Sequence, residues 1–199
     1  MAKAKSRQVK VSRQTAETKI SATLNLDGSG RVRVRTPFGF MDHMLTAWAK
    51  HALLDLTLAA AGDVNVDAHH TVEDMGLVLG EALAKATGEK KGLRRFGAAL
   101  IPMDEALAEC SLDLSGRPLL VYAADIPGRK QWDFDCNLVR EFFQALANAG
   151  RLTLHLRLCA GDNYHHSCEA LFKAAGRALR QAVELDPRVK GVPSSKGTL

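Results

Sequence analysis

The sequence predicts an internally duplicated α+β fold in which sheets pack with helices. A His-His-x-x-Glu pattern occurs twice, at residues 69–73 and 165–169. Each copy follows an alternating, Leu-rich segment that ends in Gly-Asp, and each opens a segment with apolar residues at helical spacing. The repeat divides the 199 residues into a first half-repeat, 1–90, a second half-repeat, 91–187, and a C-terminal tail, 188–199.

The first half is predicted to run strand, strand, helix, strand, helix. Residues 31–35 alternate between Arg and Val, which is typical of a strand with one solvated face. Residues 26–31 contain two glycines and predict a hairpin turn between strands. A helix is predicted over 42–50, a strand over 54–63, and a second helix over 71–87, which Gly88 ends.

The second half repeats this order. Residues 112–117 predict the equivalent hairpin turn, and helices are predicted over 134–148 and 167–184 with a strand over 154–162 between them. Antiparallel hairpins mixed with helices indicate the α+β class. The halves meet near residues 89–92, which are too few for a flexible linker, so we expect the halves to pack together.

Composition narrows the classes of function. The hydrophobic fraction of 46% is ordinary for a soluble globular protein, and no apolar run is long enough to span a membrane. The basic N-terminus leads into no apolar segment, and the four cysteines form no CxxC, which predicts a cytoplasmic protein with reduced thiols. The net charge of +5 would suit nucleic acid, but the basic residues are scattered and no recognition motif is present. We therefore expect a small anionic substrate, and neither a nucleic-acid nor a membrane partner.

The two histidine pairs predict two related sites for a divalent transition metal, which prefers imidazole and carboxylate ligands. Residues four apart on a helix point the same way, so the first histidine of each pair can share an ion with the following glutamate. The second histidine points elsewhere and is predicted to complete the site of the other copy. One site would consist of His69, Glu73 and His166, and the other of His70, His165 and Glu169. For a lone pair of histidines, a helix cap or a satisfied hydrogen-bond network is the alternative.

Four motifs give the chain a resemblance to the imidazoleglycerol-phosphate dehydratase family. They are Phe-Met-Asp-His-Met-Leu at 40–45, His-His-Thr-Val-Glu-Asp at 69–74, His-His-x-x-Glu-Ala-x-Phe-Lys-Ala at 165–174, and Pro-Ser-Ser-Lys-Gly at 193–197. The resemblance implies dehydration of D-erythro-imidazole glycerol phosphate to imidazole acetol phosphate in histidine biosynthesis. It further implies two manganese ions per active site, an assembly of 24 subunits with sites at subunit interfaces, and half-domains resembling the second domain of ribosomal protein S5.

The resemblance also implies further metal ligands. It adds His43 to the site of His70, His165 and Glu169. By the repeat, the counterpart of His43 is Glu141, at a position where family members often carry a histidine. A carboxylate can bind manganese, although a surface glutamate on an amphipathic helix is the alternative for Glu141. The full set of predicted ligands is His43, His69, His70, Glu73, Glu141, His165, His166 and Glu169.

Residues that bind substrate or move protons follow from the same resemblance. Glu17 is the first candidate for the general base and Asp74 the second, although the residues alone would make Glu17 an exposed strand charge. The phosphate needs fixed positive charge, and the tail is expected to close over the substrate. The predicted substrate contacts are Glu17, Asp42, His51, Arg95, Arg117, Lys173, Ser194, Ser195 and Lys196. His155, on a strand face opposite Leu154 and Leu156, is expected to be structural or to lie at an interface.

The proposed chemistry has two competitors. The proton removed lies on a carbon next to the imidazole ring, so metal acting as a Lewis acid would stabilise an imidazolate-like intermediate. The first alternative is a di-metal hydrolase of phosphate esters, which also combines two metals with basic residues. The second is a non-enzymatic protein that binds metal or nucleic acid.

Overall fold

A computed structural model describes residues 6–128, the backbone of 130–131, and residues 134–199, so residues 1–5 of the basic N-terminus lie outside the described residues. The first half contains β1 (Gln8–Gln14), β2 (Thr18–Asn25), β3 (Val32–Arg35), α1 (Gly39–His51), β4 (Asp55–Gly62) and α2 (His69–Thr87). The second contains β5 (Phe96–Met103), β6 (Ala106–Asp113), β7 (Leu119–Ala123), β8 (Lys130–Gln131), β9 (Phe134–Asp135), α3 (Asn137–Gly150), β10 (Thr153–Ala160) and α4 (Tyr164–Val183).

The two halves have the same sheet topology. The first sheet has the order β1-β2-β4-β3 and the second the order β5-β6-β10-β7. In each, three strands are antiparallel neighbours and the last pairs in parallel with the strand that follows the first helix of that half. The predicted α+β class and the internal duplication are therefore confirmed.

Both predicted hairpin turns are wrong. Residues 26–31 join β2 to β3, but β4 lies between these strands in the sheet, and residues 112–117 likewise join β6 to β7 across β10. The reason is that β3 and β7 pair in parallel with strands that come later in the chain, which a local turn signal cannot reveal. The true hairpins join β1 to β2 and β5 to β6.

Each half begins with a strand that the sequence pattern did not predict. In β1 only Val11 is buried, so the strand lacks the alternation by which strands are recognised. The helices also begin at other residues than expected. Both α2 and α4 start earlier and include their histidine pairs, whereas α3 starts at Asn137, because residues 134–135 pair with β8 instead.

The helices pack in pairs that cross between the halves. In addition to packing on its own sheet, α1 packs against α4, and α2 packs against α3. The apolar stripes of the helices and the inner faces of both sheets form one hydrophobic core. A residue on the first helix of either half therefore faces the second helix of the other half. None of the four helices in the described part of the chain is long and apolar enough to cross a bilayer.

Candidate metal and substrate site

Each histidine pair lies in the first turn of a helix that begins under an Asx side chain. Asp67 Oδ1 accepts a hydrogen bond from the amide of His69 at 2.8 Å. Asn163 Oδ1 accepts from the amides of His165 and His166 at 2.8 and 3.2 Å. Such side chains satisfy first-turn amides that lack a helical partner. The histidines are thus held at helix starts in equivalent places of the two halves.

The residue after each pair fixes the distance between helix and sheet. Thr71 and Ser167 are fully buried. A Cβ built at Gly62 would lie 2.0 Å from Thr71 Oγ1, and one at Gly161 would lie 2.5 Å from Ser167 Oγ. Only glycine permits this approach. The glycine of each Gly-Asp segment therefore lets the end of a strand contact the start of the next helix.

Three potential metal ligands converge where α1 of the first half meets α4 of the second. His43, His165 and Glu169 each place a ligand atom within 4.8 Å of the others. Glu169 Oε2 lies 3.1 Å from Nε2 of His43 and 3.1 Å from Nε2 of His165. We call these three residues the α1–α4 cluster. Two imidazoles and one carboxylate form a donor set that divalent transition metals accept, so the residues fit the metal that the motifs predict.

A lysine supports the carboxylate of this cluster. Lys173 Nζ lies 2.7 Å from Glu169 Oε1 and also donates to Met103 Sδ at 3.2 Å. Burial by itself raises the pKa of Glu169, but hydrogen bonds from Lys173 and His43 outweigh burial and lower that pKa to about 2. The carboxylate is therefore ionised at neutral pH, as a metal ligand must be.

The equivalent residues of the other junction are less closely gathered. His69 on α2 and Glu141 on α3 line a cleft of about 690 Å³, together with Asp67 and Asp135. Glu73 lies one helical turn after His69, and its side chain is exposed. His69, Glu73 and Glu141, all of them described, are not within the distance that defines the α1–α4 cluster. The potential ligands of this junction are therefore farther apart than those of the α1–α4 cluster.

The second histidine of the first pair contacts acidic residues of its own half. His70 Nδ1 lies 3.1 Å from Asp63 Oδ2 and 3.5 Å from Glu17 Oε2, which makes these residues a second group of potential ligands. The hydrogen bond with Asp63 is the main cause that raises the pKa of His70. The other oxygen of Asp63 is buried and has no hydrogen-bond partner among the described residues.

The second histidine of the second pair is held in a similar way. His166 Nδ1 lies 2.7 Å from Glu105 Oε2. This hydrogen bond raises the pKa of His166 and lowers that of Glu105 to about 2. Neither ligand group in the described residues unites His166 with His69, or His70 with the α1–α4 cluster. The sequence predicted that the second histidine of each pair would complete the metal site of the other copy. Within one chain, neither second histidine does so.

The two candidate bases lie in different surroundings. Glu17 follows the turn after β1, and its side chain is 55% exposed. Asp74 is buried, and both of its oxygens accept hydrogen bonds, from Arg13 Nε at 2.7 Å and from the Thr18 hydroxyl. Of the two, Glu17 has the carboxylate that a substrate can reach.

The two predicted pocket residues on α1 also have identifiable surroundings. Asp42 Oδ1 accepts from the amide of Thr36 at 2.9 Å, so it holds the segment that enters α1. His51 ends α1 and is half-buried, and burial lowers its pKa, with a further contribution from the charges of Lys173 and Arg177. His51 therefore lies near the lysine that supports the α1–α4 cluster.

The predicted phosphate contacts other than Lys173 gather at the start of β5. Arg95 donates to Asp113 at 2.7 and 3.0 Å and to the Pro193 carbonyl at 2.8 Å, which ties the tail to the sheet. Arg117 is exposed, with Nη2 3.9 Å from Asp113 Oδ2. Ser194, Ser195 and Lys196 follow Pro193 directly, and the Ser194 hydroxyl accepts from the amide of Lys196.

This group is distant from the α1–α4 cluster within one chain. Arg95 precedes β5, whereas Met103, which contacts Lys173, ends it. A strand of this length spans about 25 Å. The structure therefore brings Lys173 to the metal ligands but leaves Arg95, Arg117 and the tail at the other end of the strand.

Two residues of the site were not predicted from the sequence. They are Asp63 and Glu105, which bind the second histidines. The repeated Gly-Asp segment was a usable signal for Asp63. Glu105 had no such signal, because its hairpin lies far from His166 in the sequence and meets it only through the pairing of β6 with β10, the strand that precedes α4.

The fold and the site define the class of this protein: an internally duplicated α+β chain with candidate metal ligands where its halves meet. The model of the family described as Imidazoleglycerol-phosphate dehydratase matches residues 36–179. The chain belongs to the imidazoleglycerol-phosphate dehydratase family. This confirms the family, and the enzyme class of dehydratases, that the sequence motifs predicted.

Individual relatives agree with this assignment. The chain is 55% identical to the imidazoleglycerol-phosphate dehydratase of Ruegeria pomeroyi over 195 residues, which cover 97% of this chain and all of that protein. A crystal structure of the enzyme from Staphylococcus aureus is 39% identical with a TM-score of 0.79, covering 89% of this chain and 99% of that one. A structure of IGPD from Pyrococcus furiosus in complex with (S)-C348 is 36% identical with a TM-score of 0.82, covering 95% and 100%.

Proposed function

We propose that the protein dehydrates D-erythro-imidazole glycerol phosphate to imidazole acetol phosphate, as a step of histidine biosynthesis. The observation that carries the proposal is the α1–α4 cluster, in which both halves of a chain of this family contribute ligands to one point. The cysteine pattern of the sequence supports a reducing compartment, so the proposal includes a cytoplasmic location.

The proposed cofactor is a pair of manganese ions. His43, His165 and Glu169 would hold one ion, and His69, Glu73 and Glu141 the other. His70 and His166 do not complete these sets within the chain, so the proposal assigns them to the sites of neighbouring subunits. Bound manganese would act as a Lewis acid toward the imidazole ring and stabilise the negative charge that develops there.

We assign to Glu17 the removal of the proton from the carbon next to the imidazole ring. Its carboxylate is exposed and lies 3.5 Å from His70, so it borders a predicted metal ligand and can reach a bound substrate. Asp74 is the second candidate, but its two hydrogen-bonded oxygens suit it better to joining β2 and α2. Asp42 and His51 would line the pocket beside the α1–α4 cluster.

We assign binding of the substrate's phosphate group to Arg95, Arg117, Lys173 and the tail residues Ser194, Ser195 and Lys196. Because about 25 Å of strand separates Arg95 from Lys173, the phosphate of one small substrate cannot contact both within a chain. The proposal therefore builds each active site from more than one subunit, in a homo-oligomer of 24 chains whose C-terminal tail, 188–199, closes over the substrate.

The outer face of the second sheet supports a homo-oligomer. Phe96, Leu100, Leu119 and Val121 are between 41% and 58% exposed there, on the two edge strands, while polar residues such as His155 lie between them on the central strands. Exposed apolar side chains gathered on one face are a feature of protein interaction surfaces. A second copy of the chain is the occupant that an incomplete site requires.

The reaction separates this proposal from its competitors. Metal-free protein is reloaded with manganese and incubated with imidazole glycerol phosphate, and the products are measured. A keto product without free phosphate is expected, whereas release of phosphate would identify a di-metal phosphatase. An absence of any reaction with every divalent ion tried, together with salt-sensitive retention on DNA, would favour a binding protein.

We expect Glu17→Gln to lower kcat by about a hundredfold or more, because general base catalysis contributes factors of this size. The amide is nearly isosteric with the carboxylate, so manganese content and assembly should be unchanged. The measurement is kcat alongside metal content and mass. Near-normal turnover in a variant fully loaded with manganese would show that Glu17 is not the general base and would favour Asp74.

A further inference from the structure

In each pair, the second histidine is hydrogen-bonded to a carboxylate through the same ring nitrogen, Nδ1. Asp63 Oδ2 lies 3.1 Å from His70 Nδ1, and Glu105 Oε2 lies 2.7 Å from His166 Nδ1. A carboxylate can only accept, so Nδ1 carries the hydrogen in both rings. In the described residues, no hydrogen bond engages Nε2 of His70, and Nε2 of His166 has only a 3.4 Å approach to the exposed Asp104. Both rings therefore leave Nε2 available as an electron-pair donor.

The carboxylate that binds the second histidine comes from a different position in each half. Glu17 and Glu105 occupy equivalent positions, each directly before the second strand of its half. Asp63 and Asp162 are also equivalent, because each follows the glycine at the end of the strand that joins the two helices of its half. In the second half the hairpin carboxylate, Glu105, binds the histidine. In the first half the Gly-Asp carboxylate, Asp63, does so instead.

The hydrogen bonds of the hairpin glutamates differ accordingly. Oε1 of Glu105 accepts from the amides of Asp162 and Asn163 at 3.3 and 2.9 Å, while its Oε2 holds His166, so both oxygens are engaged. Among the described residues, the Glu17 carboxylate has only the longer, 3.5 Å approach to His70. Asp63 thus binds the second histidine in the first half as Glu105 does in the second, which leaves the Glu17 carboxylate without a hydrogen bond among the described residues.

We propose that Asp63 and Glu105 are positioning residues that fix the ring orientation of His70 and His166, so that each presents Nε2 to a metal, and that Asp63 thereby releases Glu17 for proton transfer. The inference rests on the proposed function for the identity of the metal. Its physical basis is general: a carboxylate on the far nitrogen of a metal-binding histidine fixes the tautomer and increases the basicity of the ligand.

The test combines two readouts on four variants. Solid-state NMR of histidine-labelled, metal-free protein reports which ring nitrogen carries hydrogen, and a manganese titration reports affinity. Asp63→Ala and Glu105→Ala should each lose one Nδ1-protonated signal and bind manganese about 10–100-fold more weakly. Asp63→Asn and Glu105→Gln should restore most of both properties, because an amide oxygen still accepts from Nδ1.

Asp162→Ala is the matched control, because Asp162 occupies the position of Asp63 in the second half and only its backbone takes part in the described hydrogen bonds. It should change neither readout. Unaltered ring signals and manganese affinity in both alanine variants would overturn the inference, and if Asp63→Ala does not fold, the comparison of Glu105→Ala with Glu105→Gln decides. A wild-type protein that neither binds manganese nor dehydrates the substrate would refute the proposed function alone, since the NMR result does not depend on the metal.

Discussion

At the scale of single residues, the two histidines of each repeated pair have different neighbours, because adjacent positions on a helix point in different directions. The first histidine faces a helix of the other half, and the second, about 100° further around the axis, faces its own hairpin or the end of its own strand. His165 thereby joins His43 and Glu169, while His166 reaches Glu105. Two adjacent and identical side chains thus enter different electrostatic surroundings.

The hydrogen bonds on the second histidines predict a pH dependence. The pKa values of His70 and His166 are raised above their ordinary value of 6.5. The protonated rings therefore stabilise the metal-free fold fully below pH 6.5, and this contribution is lost as pH rises through the raised pKa values. Manganese must displace those protons, so its affinity should increase over the same range.

Thermal unfolding of metal-free and manganese-loaded protein across this range measures both effects. The Tm of the metal-free form should decrease with rising pH, and the gap between the two forms should widen. In Glu105→Ala, which removes the hydrogen bond that is the main cause of the raised pKa of His166, the decrease should be smaller. A metal-free Tm that rises through this window would contradict the assignment.

At the scale of secondary-structure elements, the crossing of helices between halves creates the site. Duplicated segments with identical topology place α1 against α4 and α2 against α3, so each junction receives one ligand-bearing helix from each half. The α2–α3 contact is close because Gly76 and Gly80 face the backbone of α3. The spacing of the helices, and with it the separation of His69 from Glu141, depends on these glycines.

Gly76→Ala should destabilise the protein by about 1–3 kcal/mol, the usual cost of overpacking. A Cβ at this position would lie 2.5 Å from the Phe142 carbonyl oxygen, and backbone cannot move aside as a flexible side chain can. Chemical denaturation at fixed protein concentration measures the loss. Gly39→Ala is the control, since a Cβ there meets nothing within 4 Å. Equal stability of the two variants would show that α2 and α3 can separate freely.

At the scale of the whole molecule, the two sheets differ in what they expose. The outer face of the first sheet carries polar and small residues such as Arg33, Arg35 and Thr57. The second carries exposed Phe and Leu side chains along its edge strands. Duplication gave the halves one topology, but their outer surfaces have diverged, and only the second has the composition of an interface.

The assembly prediction follows from that difference. Leu100→Lys combined with Val121→Lys should reduce the mass in solution, because two buried ammonium groups would be costly at an apolar interface. Activity should fall at least tenfold, since the proposed sites need several subunits. Analytical ultracentrifugation measures the mass and a turnover assay measures the activity. The control combines Thr57→Lys with Thr23→Lys on the first sheet. An unchanged mass in the Leu100 and Val121 variant would exclude this face as the interface.

Much of the structure could be predicted because its signals are local. The helical periodicity after each histidine pair, the alternation in β4 and β10, and the offset between His165 and Glu169 follow from neighbouring residues alone. The family also followed from short motifs with fixed spacing. The edge strand β1 was missed because a strand with one buried residue carries almost no alternation.

The sequence by itself determined the duplication, the fold class, the family and the residue types available for metal binding, since all of these depend on order along the chain. Only the tertiary structure decided that β4 separates β2 from β3, that α1 meets α4, and that Asp63 and Glu105 bind the second histidines. These contacts join residues far apart in sequence. They result from burying the apolar faces of both halves in one core, and no local pattern encodes which helix of one half will face which helix of the other.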